Sequence, residues 1–223
     1  MRYSFDNSAA NPRNPNSPAK RVQGGNQATD EMAHLWLQLL PHGTAEERVQ
    51  IETALLEHRV EKYTGDFQSR LSLGALLLAR LNPAGAVKVL EQAVNLDPQQ
   101  EEARRYLGMA LEAVGRTGEA IEQLRVAVEI KPEDTQARYN LARLLLKSGK
   151  LDQAIENFQS IVRAAPNNAQ YHDDLGELFL QQNKPAEALE QFNAALALDP
   201  SLKSAVEDRG VAQAMLHAHD TPR

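Results

Sequence analysis

The sequence predicts an all-α protein built from repeated helical hairpins, on three observations. Prolines recur every 34 residues, at Pro98, Pro132, Pro166 and Pro200. Apolar residues between them are spaced three and four apart, which is the spacing of one face of a helix. Aromatic residues make up only 5% of the chain whereas Ala, Leu, Glu and Gln are abundant, a balance typical of packed amphipathic helices. A fixed period of this length indicates stacked supersecondary units.

Each repeat carries a small residue at two fixed positions, one on each expected helix. The two series are Gly74, Gly108, Ala142, Gly176 and Gly210, and then Ala86, Ala120, Ala154 and Ala188. Small residues let neighbouring helices approach closely, while Leu and Phe fill the remaining space. The repeated proline ends the second helix, because it lacks an N–H and disfavours the α region for the residue before it. Pro83 and Pro185 instead suit the first turn of a second helix.

These residues resemble the tetratricopeptide repeat (TPR), whose 34-residue unit is a helical hairpin with a small residue near position 8, Ala at position 20 and Pro at position 32. The resemblance implies a right-handed solenoid of four hairpins with helical N- and C-terminal caps. The expected divisions are 67–100, 101–134, 135–168 and 169–202, then a capping helix over 201–217 and a frayed tail over 218–223. Two residues depart from the family pattern: Arg70 stands where a large aromatic is favoured, and Ala142 replaces the usual Gly.

The region before the repeats has a different composition. Residues 1–28 are rich in Asn and Pro and are predicted to be irregular. Residues 29–66 are expected to form N-terminal capping helices. Thr44 and Glu47 form a capping-box pattern that opens a helix ending near Tyr63. The pattern of residues 32–40 fits a strand or a helix, with a slight preference for a helix.

A second resemblance covers residues 3–32, which look like the end of the C-terminal domain in bacterial relatives of copper type II, ascorbate-dependent monooxygenases. It rests on Asp6-Asn7-Ser8, Asn11-Pro12, Asn14-Pro15, Gly25 and Asp30-Glu31-Met32. It implies that Met32 is a copper ligand and that the chain is the C-terminal accessory segment of a larger periplasmic or secreted enzyme. A complete chain is expected in the cytoplasm. A lone thioether cannot hold copper without imidazole partners, so no cofactor is predicted for this chain by itself.

The TPR resemblance also implies a ligand groove lined by the first helix of each hairpin. The groove residues carried over in this way are Arg105, Tyr106, Met109, Tyr139, Asn140, Arg143, Lys147, Asp173 and Glu177, with Leu71, Ala75, Leu78, Glu112 and Asp174 beside them. The expected groove is apolar at one end, basic with tyrosines in the middle and acidic at the other end. It predicts a non-enzymatic scaffold for a protein or peptide whose acidic groups meet Arg105 and Arg143. The alternative for any one of these residues is an ordinary solvated helix face.

Composition argues against several other classes of function. The formal charge of -6 offers no basic field for nucleic acid, and no apolar stretch is long enough to span a membrane. There is no cysteine, and no nucleophile elbow or phosphate-binding loop. The six histidines lack the spacing of a helical zinc site and are interpreted as surface residues. No catalytic or metal-binding residue is therefore predicted, and a self-associating structural scaffold is the remaining alternative.

Overall fold

The computed structural model describes residues 44–220, and the side chains of residues 44–218. This part of the chain contains ten helices and no strand. The helices are α1 (Ala45–Lys62), α2 (Phe67–Ala79), α3 (Pro83–Leu96), α4 (Glu101–Ala113), α5 (Thr117–Ile130), α6 (Thr135–Lys147), α7 (Leu151–Ala164), α8 (Ala169–Gln181), α9 (Pro185–Leu198) and α10 (Lys203–Asp220). The predictions for residues 1–43, including Met32 as a copper ligand, lie outside the described residues.

The chain divides into two compact units, residues 1–58 and 59–223. All four hairpins lie in the second unit. Helix α1 begins with the predicted capping box: the Thr44 hydroxyl accepts a hydrogen bond from the Glu47 N–H at 3.2 Å, and the Glu47 carboxylate accepts one from the Thr44 N–H at 2.8 Å. None of the residues of α1 is buried. Its role as a cap stays a prediction.

The two helices of each hairpin are joined by the same tight turn. One residue in each turn has a positive φ, which is 56° at Leu81, 82° at Gly115, 73° at Gly149 and 58° at Asn183. The next residue donates its N–H to a carbonyl five residues back, as Asn82 does to Leu77 at 2.9 Å. This is the Schellman arrangement that satisfies the last carbonyls of a helix. Pro83 and Pro185 occupy the first turn of α3 and α9, as predicted.

Close helix packing explains the repeated small residues. A Cβ placed on Gly74, Gly108 or Gly176 would lie 2.4, 2.6 or 2.5 Å from the side chain of Leu90, Leu124 or Phe192 respectively. The second series of small residues, Ala86, Ala120, Ala154 and Ala188, is fully buried. Each second helix ends two residues before the repeated proline, at Leu96, Ile130, Ala164 and Leu198. The period therefore predicts both the packing and the ends of these helices.

Position 4 of each hairpin holds a basic or imidazole side chain bonded to backbone carbonyls, where the family favours an aromatic. Arg104, Arg138 and His172 each lie within 3.0 Å of the carbonyl oxygen six residues earlier, which belongs to Pro98, Pro132 and Pro166. Arg70 is 5% exposed and donates to the carbonyls of Val60, Tyr63 and Asp66. The departure at Arg70 is thus part of a regular pattern, and these four residues are called the position-4 ties below.

Helix α10 packs against α9 and α8. Ala205 and Ala212 on α10 are fully buried and share a core cluster with Phe192. The helix extends past its predicted end at residue 217, to Asp220. A Cβ on Gly210, which continues the series of small residues, would meet nothing within 4 Å. Among the helices described, none is both long and apolar enough to cross a membrane.

Candidate peptide-binding groove

The predicted groove residues lie on α4, α6 and α8, the first helices of the second, third and fourth hairpins. Side chains of neighbouring first helices, and of α8 and α10, contact one another. Arg143 of α6 bonds Glu112 of α4, Tyr139 of α6 packs on Tyr171 of α8, and Ser204 of α10 bonds Asp173 of α8. These contacts make one continuous surface, called the first-helix face below. In the first hairpin Leu71 is buried in the core, whereas Ala75 and Leu78 are half-buried.

The basic centre of this face is already paired with an acid. Arg143 donates from both terminal guanidinium nitrogens to the two oxygens of Glu112, one of them at 2.9 Å. Lys147 Nζ donates to Glu112 Oε1 at 3.1 Å. Burial would raise the pKa of Glu112, but the hydrogen bonds and charges of Arg143 and Lys147 outweigh it and hold that pKa below its usual 4.5. The sequence did not predict this pairing.

Lys147 and Arg143 stay accessible to solvent in spite of this pairing. The Lys147 side chain is 63% exposed and that of Arg143 is 41% exposed, whereas Glu112 beneath them is only 17% exposed. Lysine has three N–H donors and arginine has five. Donors not directed at Glu112 therefore remain available to a second acceptor.

Arg105 is more enclosed than Arg143. Its Nε lies 3.5 Å from Asp134 Oδ2, its Nη2 lies 3.6 Å from Glu102 Oε1, and its guanidinium sits 4.7 Å from the centre of the Tyr106 ring. The side chain is 17% exposed, and the buried Nε has no hydrogen-bond partner. The Arg105 guanidinium is therefore held between two carboxylates and the Tyr106 ring. Met109, on the same helix, is half-buried.

Tyr139 and Asn140 occupy adjacent positions on α6. The Tyr139 ring packs edge-on against Phe158 at 5.5 Å between ring centres and tilts against Tyr171 at 6.0 Å. Burial raises the pKa of Tyr139, Asp174 adds to the effect and Arg143 opposes it. Asn140 is buried, and its Nδ2 has no hydrogen-bond partner. Such an unpaired buried donor is uncommon in folded proteins.

The acidic end holds Asp173, Asp174 and Glu177 on α8, together with Asp208 on α10. Asp173 is fully buried; its Oδ2 accepts a hydrogen bond from the Ser204 hydroxyl at 2.6 Å. Asp174 is half-buried and accepts one from Gln170 Nε2 at 2.8 Å. Glu177 is exposed. Ser204 and Asp208 were not predicted, although the 34-residue period carries positions 170 and 174 onto them.

Burial and mutual repulsion perturb three of these carboxyls. Burial is the largest cause that raises the pKa of Asp174 and of Asp208 above the usual value, and partial desolvation of its carboxyl is the largest cause for the more exposed Glu177. The charge of Asp173 raises all three further. For Asp174, hydrogen bonds from Gln170 and Tyr139 act in the opposite direction. The negative charge in this cluster is therefore concentrated and partly desolvated.

His172 is buried, so the prediction that the histidines are surface residues is wrong for this one. Its Nε2 lies 3.0 Å from the Pro166 carbonyl oxygen, and its Nδ1 lies 2.9 Å from Gln191 Oε1. These contacts make it the position-4 tie of the fourth hairpin. In residues 44–218, no group of three or more His, Cys, Asp or Glu is arranged to hold a metal ion.

Comparison with family models identifies the repeats. Three tetratricopeptide repeat models match residues 71–135, 111–178 and 169–202. The chain therefore belongs to the tetratricopeptide repeat family. Comparison with curated protein sequences gives no match.

Solved structures with the same fold include two TPR proteins. A crystal structure of YrrB, described as a TPR protein with an unusual peptide-binding site, is 19% identical, covers 82% of this chain and 96% of its own, and has a TM-score of 0.67. A crystal structure of MamA is 21% identical and has a TM-score of 0.66; the match covers 70% of this chain and 91% of the MamA chain. A structure of MamA from Desulfovibrio magneticus RS-1 is 23% identical and has a TM-score of 0.65; the match covers 80% of this chain and 98% of that MamA chain. At these identities the likeness shows the fold.

Proposed function

We propose that this protein is a non-enzymatic scaffold that binds an extended peptide of a partner protein along the first-helix face. The observation that carries the proposal is the cluster of Glu112, Arg143 and Lys147, which joins two hairpins and still presents exposed cationic donors. A structural ion pair needs only two partners. A third, largely exposed cation placed over the same carboxylate is better suited to an external acceptor. An acidic group of the peptide is that acceptor.

The neighbouring residues supply the other interactions that a peptide needs. Arg105 and Asn140 lie on the same face, and the 17% of the Arg105 side chain that is exposed can donate to peptide carbonyls. Tyr106 and Met109 are half-buried and provide apolar contact area beside them. The fold likeness to YrrB, which is described as having a peptide-binding site, supports the same assignment. The protein thus offers polar anchors beside apolar contacts, which is the usual composition of a peptide-binding surface.

Selection from a random-peptide phage library on the full chain tests this proposal. Enriched peptides are then titrated by fluorescence anisotropy against the triple variant Glu112→Gln/Arg143→Gln/Lys147→Gln, which removes all three charges and so leaves none unpaired. We expect about tenfold weaker binding, the size of the loss when one charge-assisted contact disappears.

The matched control is Glu122→Gln/Arg125→Gln, which removes an exposed ion pair on α5. It should bind as the unmodified protein does. Failure to enrich any peptide, or equal affinity for the triple variant, would contradict the proposal. Light scattering on the same samples shows whether self-association competes with peptide binding.

A further inference from the structure

The acidic end of the first-helix face has an uncompensated charge. Four carboxyl groups, Asp173, Asp174, Glu177 and Asp208, come together from α8 and α10. In the described part of the chain, no Lys or Arg forms an ion pair with any of them. The centre of the same face is different, because each cation there has an acidic partner.

Asp173 shows that this is more than a solvated acidic surface. Its side chain is fully buried, and only one of its two oxygens has hydrogen-bond partners, Ser204 and Gln170. The other oxygen, Oδ1, is buried without any partner. Because a buried carboxylate normally satisfies both oxygens, an unpaired one marks a place where the native contacts are incomplete.

Three further carboxyls lie around this buried group. Gln170 Nε2 bridges Asp173 Oδ2 at 3.5 Å and Asp174 Oδ1 at 2.8 Å. Glu177 lies one helical turn after Asp173 on α8, and Asp208 lies one turn after Ser204, the residue of α10 that bonds Asp173. The charge of Asp173 raises the pKa of all three neighbours. Asp174 also has one buried oxygen, Oδ2, without a hydrogen-bond partner. A positive charge placed among them would lower the cost of ionising Asp174, Glu177 and Asp208.

We infer that this carboxylate cluster binds a lysine or arginine side chain of the peptide ligand. The inference rests on the proposed function and names a second anchor for the same ligand, opposite in sign to the anchor at Arg143 and Lys147. A basic side chain suits the site better than a bare metal ion, since the described carboxyls do not form a metal-binding group. It also brings several N–H donors, from which the exposed Glu177 and the partly exposed Asp174 and Asp208 can accept hydrogen bonds.

The test uses the peptides enriched by selection on the full chain, with EDTA present throughout to exclude bridging metal ions. We expect Lys or Arg to be over-represented at one position of these peptides. Replacing that residue with Gln in a synthetic peptide should weaken binding about tenfold. The variant Asp174→Asn/Glu177→Gln/Asp208→Asn keeps the side-chain shapes and should weaken binding of the unmodified peptide by a similar factor.

A double-mutant cycle makes the result specific. The Gln peptide and the triple variant should not show additive losses, because each removes the same contact. The control Glu156→Gln/Glu187→Gln/Glu190→Gln neutralises three exposed carboxylates on α7 and α9 and should leave affinity unchanged. Peptides that bind without any Lys or Arg preference, or additive losses, would overturn the inference while leaving the proposed function standing. A selection that enriches no peptide would overturn both.

Discussion

Glu112 and Arg143, which are 31 residues apart in the sequence, form a two-pronged ion pair between α4 and α6. Glu112 is mostly enclosed, whereas Arg143 and its neighbour Lys147 remain open to solvent. The same contact therefore joins consecutive hairpins and holds cations at the surface. Its energetic consequences can be tested without knowing the ligand.

Glu112→Gln should reduce stability at neutral pH, by up to about 1 kcal/mol, because the pair is partly screened by water. The pKa of Glu112 is lowered in the folded state, so its stabilisation is fully present above the usual pKa of 4.5. The stabilisation disappears as the pH falls through the lower, folded-state pKa. Thermal melts of both proteins from neutral to acidic pH measure the effect. A difference in Tm that persists at the acid limit would contradict the ion-pair explanation.

Asp208→Asn should have the opposite effect at neutral pH. Burial, Asp173 and Glu207 raise the pKa of Asp208, so its ionised form destabilises the folded state. Neutralisation removes this cost, and the variant should melt at a higher temperature. The advantage should shrink as the pH falls through the raised pKa, because the native protein then takes up the proton itself. Equal melting temperatures across this range would show that Asp208 carries no such cost.

Leu81→Gly should stabilise the protein by about 1 kcal/mol. Leu81 has a φ of 56° and is 90% exposed, so it adopts a left-handed conformation with little compensating burial. Glycine adopts this conformation without the Cβ clash. Leu81→Ala is the control, since it removes the exposed side chain but keeps the clash. Chemical denaturation should separate the two variants; equal stabilities would remove backbone strain as the reason.

Gly108→Ala should destabilise the protein by roughly 1–3 kcal/mol, the usual cost of overpacking a core. The added methyl would lie 2.6 Å from Leu124 Cγ and 3.3 Å from the Ala120 carbonyl oxygen. Gly118→Ala, on α5, is the matched control, because its methyl would meet nothing within 4 Å. Denaturation midpoints should therefore fall for the first variant only. A similar fall for both would indicate a general effect of replacing glycine.

The sequence predicts the hairpins well because their packing follows a fixed period. A small residue at the position of Gly74 and a Leu or Phe at the position of Leu90 recur in each unit, and close contact between two helices requires that combination. It predicts the first-helix face less well. The partner of Arg143 depends on the reach of two long side chains across a hairpin interface, and no local pattern reports that.

Burial at position 4 could not be read from residue type either. His172 is polar, yet the fold encloses it because the Pro166 carbonyl and Gln191 accommodate its ring nitrogens. The signal in the sequence is that basic or imidazole side chains recur at this position in all four units. Asp208 was not predicted as a site residue for a related reason. Its helix was predicted to be a C-terminal cap, whereas the repeat period continues into it.

The position-4 ties also have a mechanical consequence. Arg104 connects the Pro98 carbonyl, in the link between two hairpins, with Gln123 on the second helix of its own hairpin, and His172 makes the same pair of connections through Pro166 and Gln191. Each of these links is thus braced at its bend and resists torsion. A peptide that docks along hairpins connected in this way meets links whose conformation is already fixed, so little of the binding free energy is lost in ordering them.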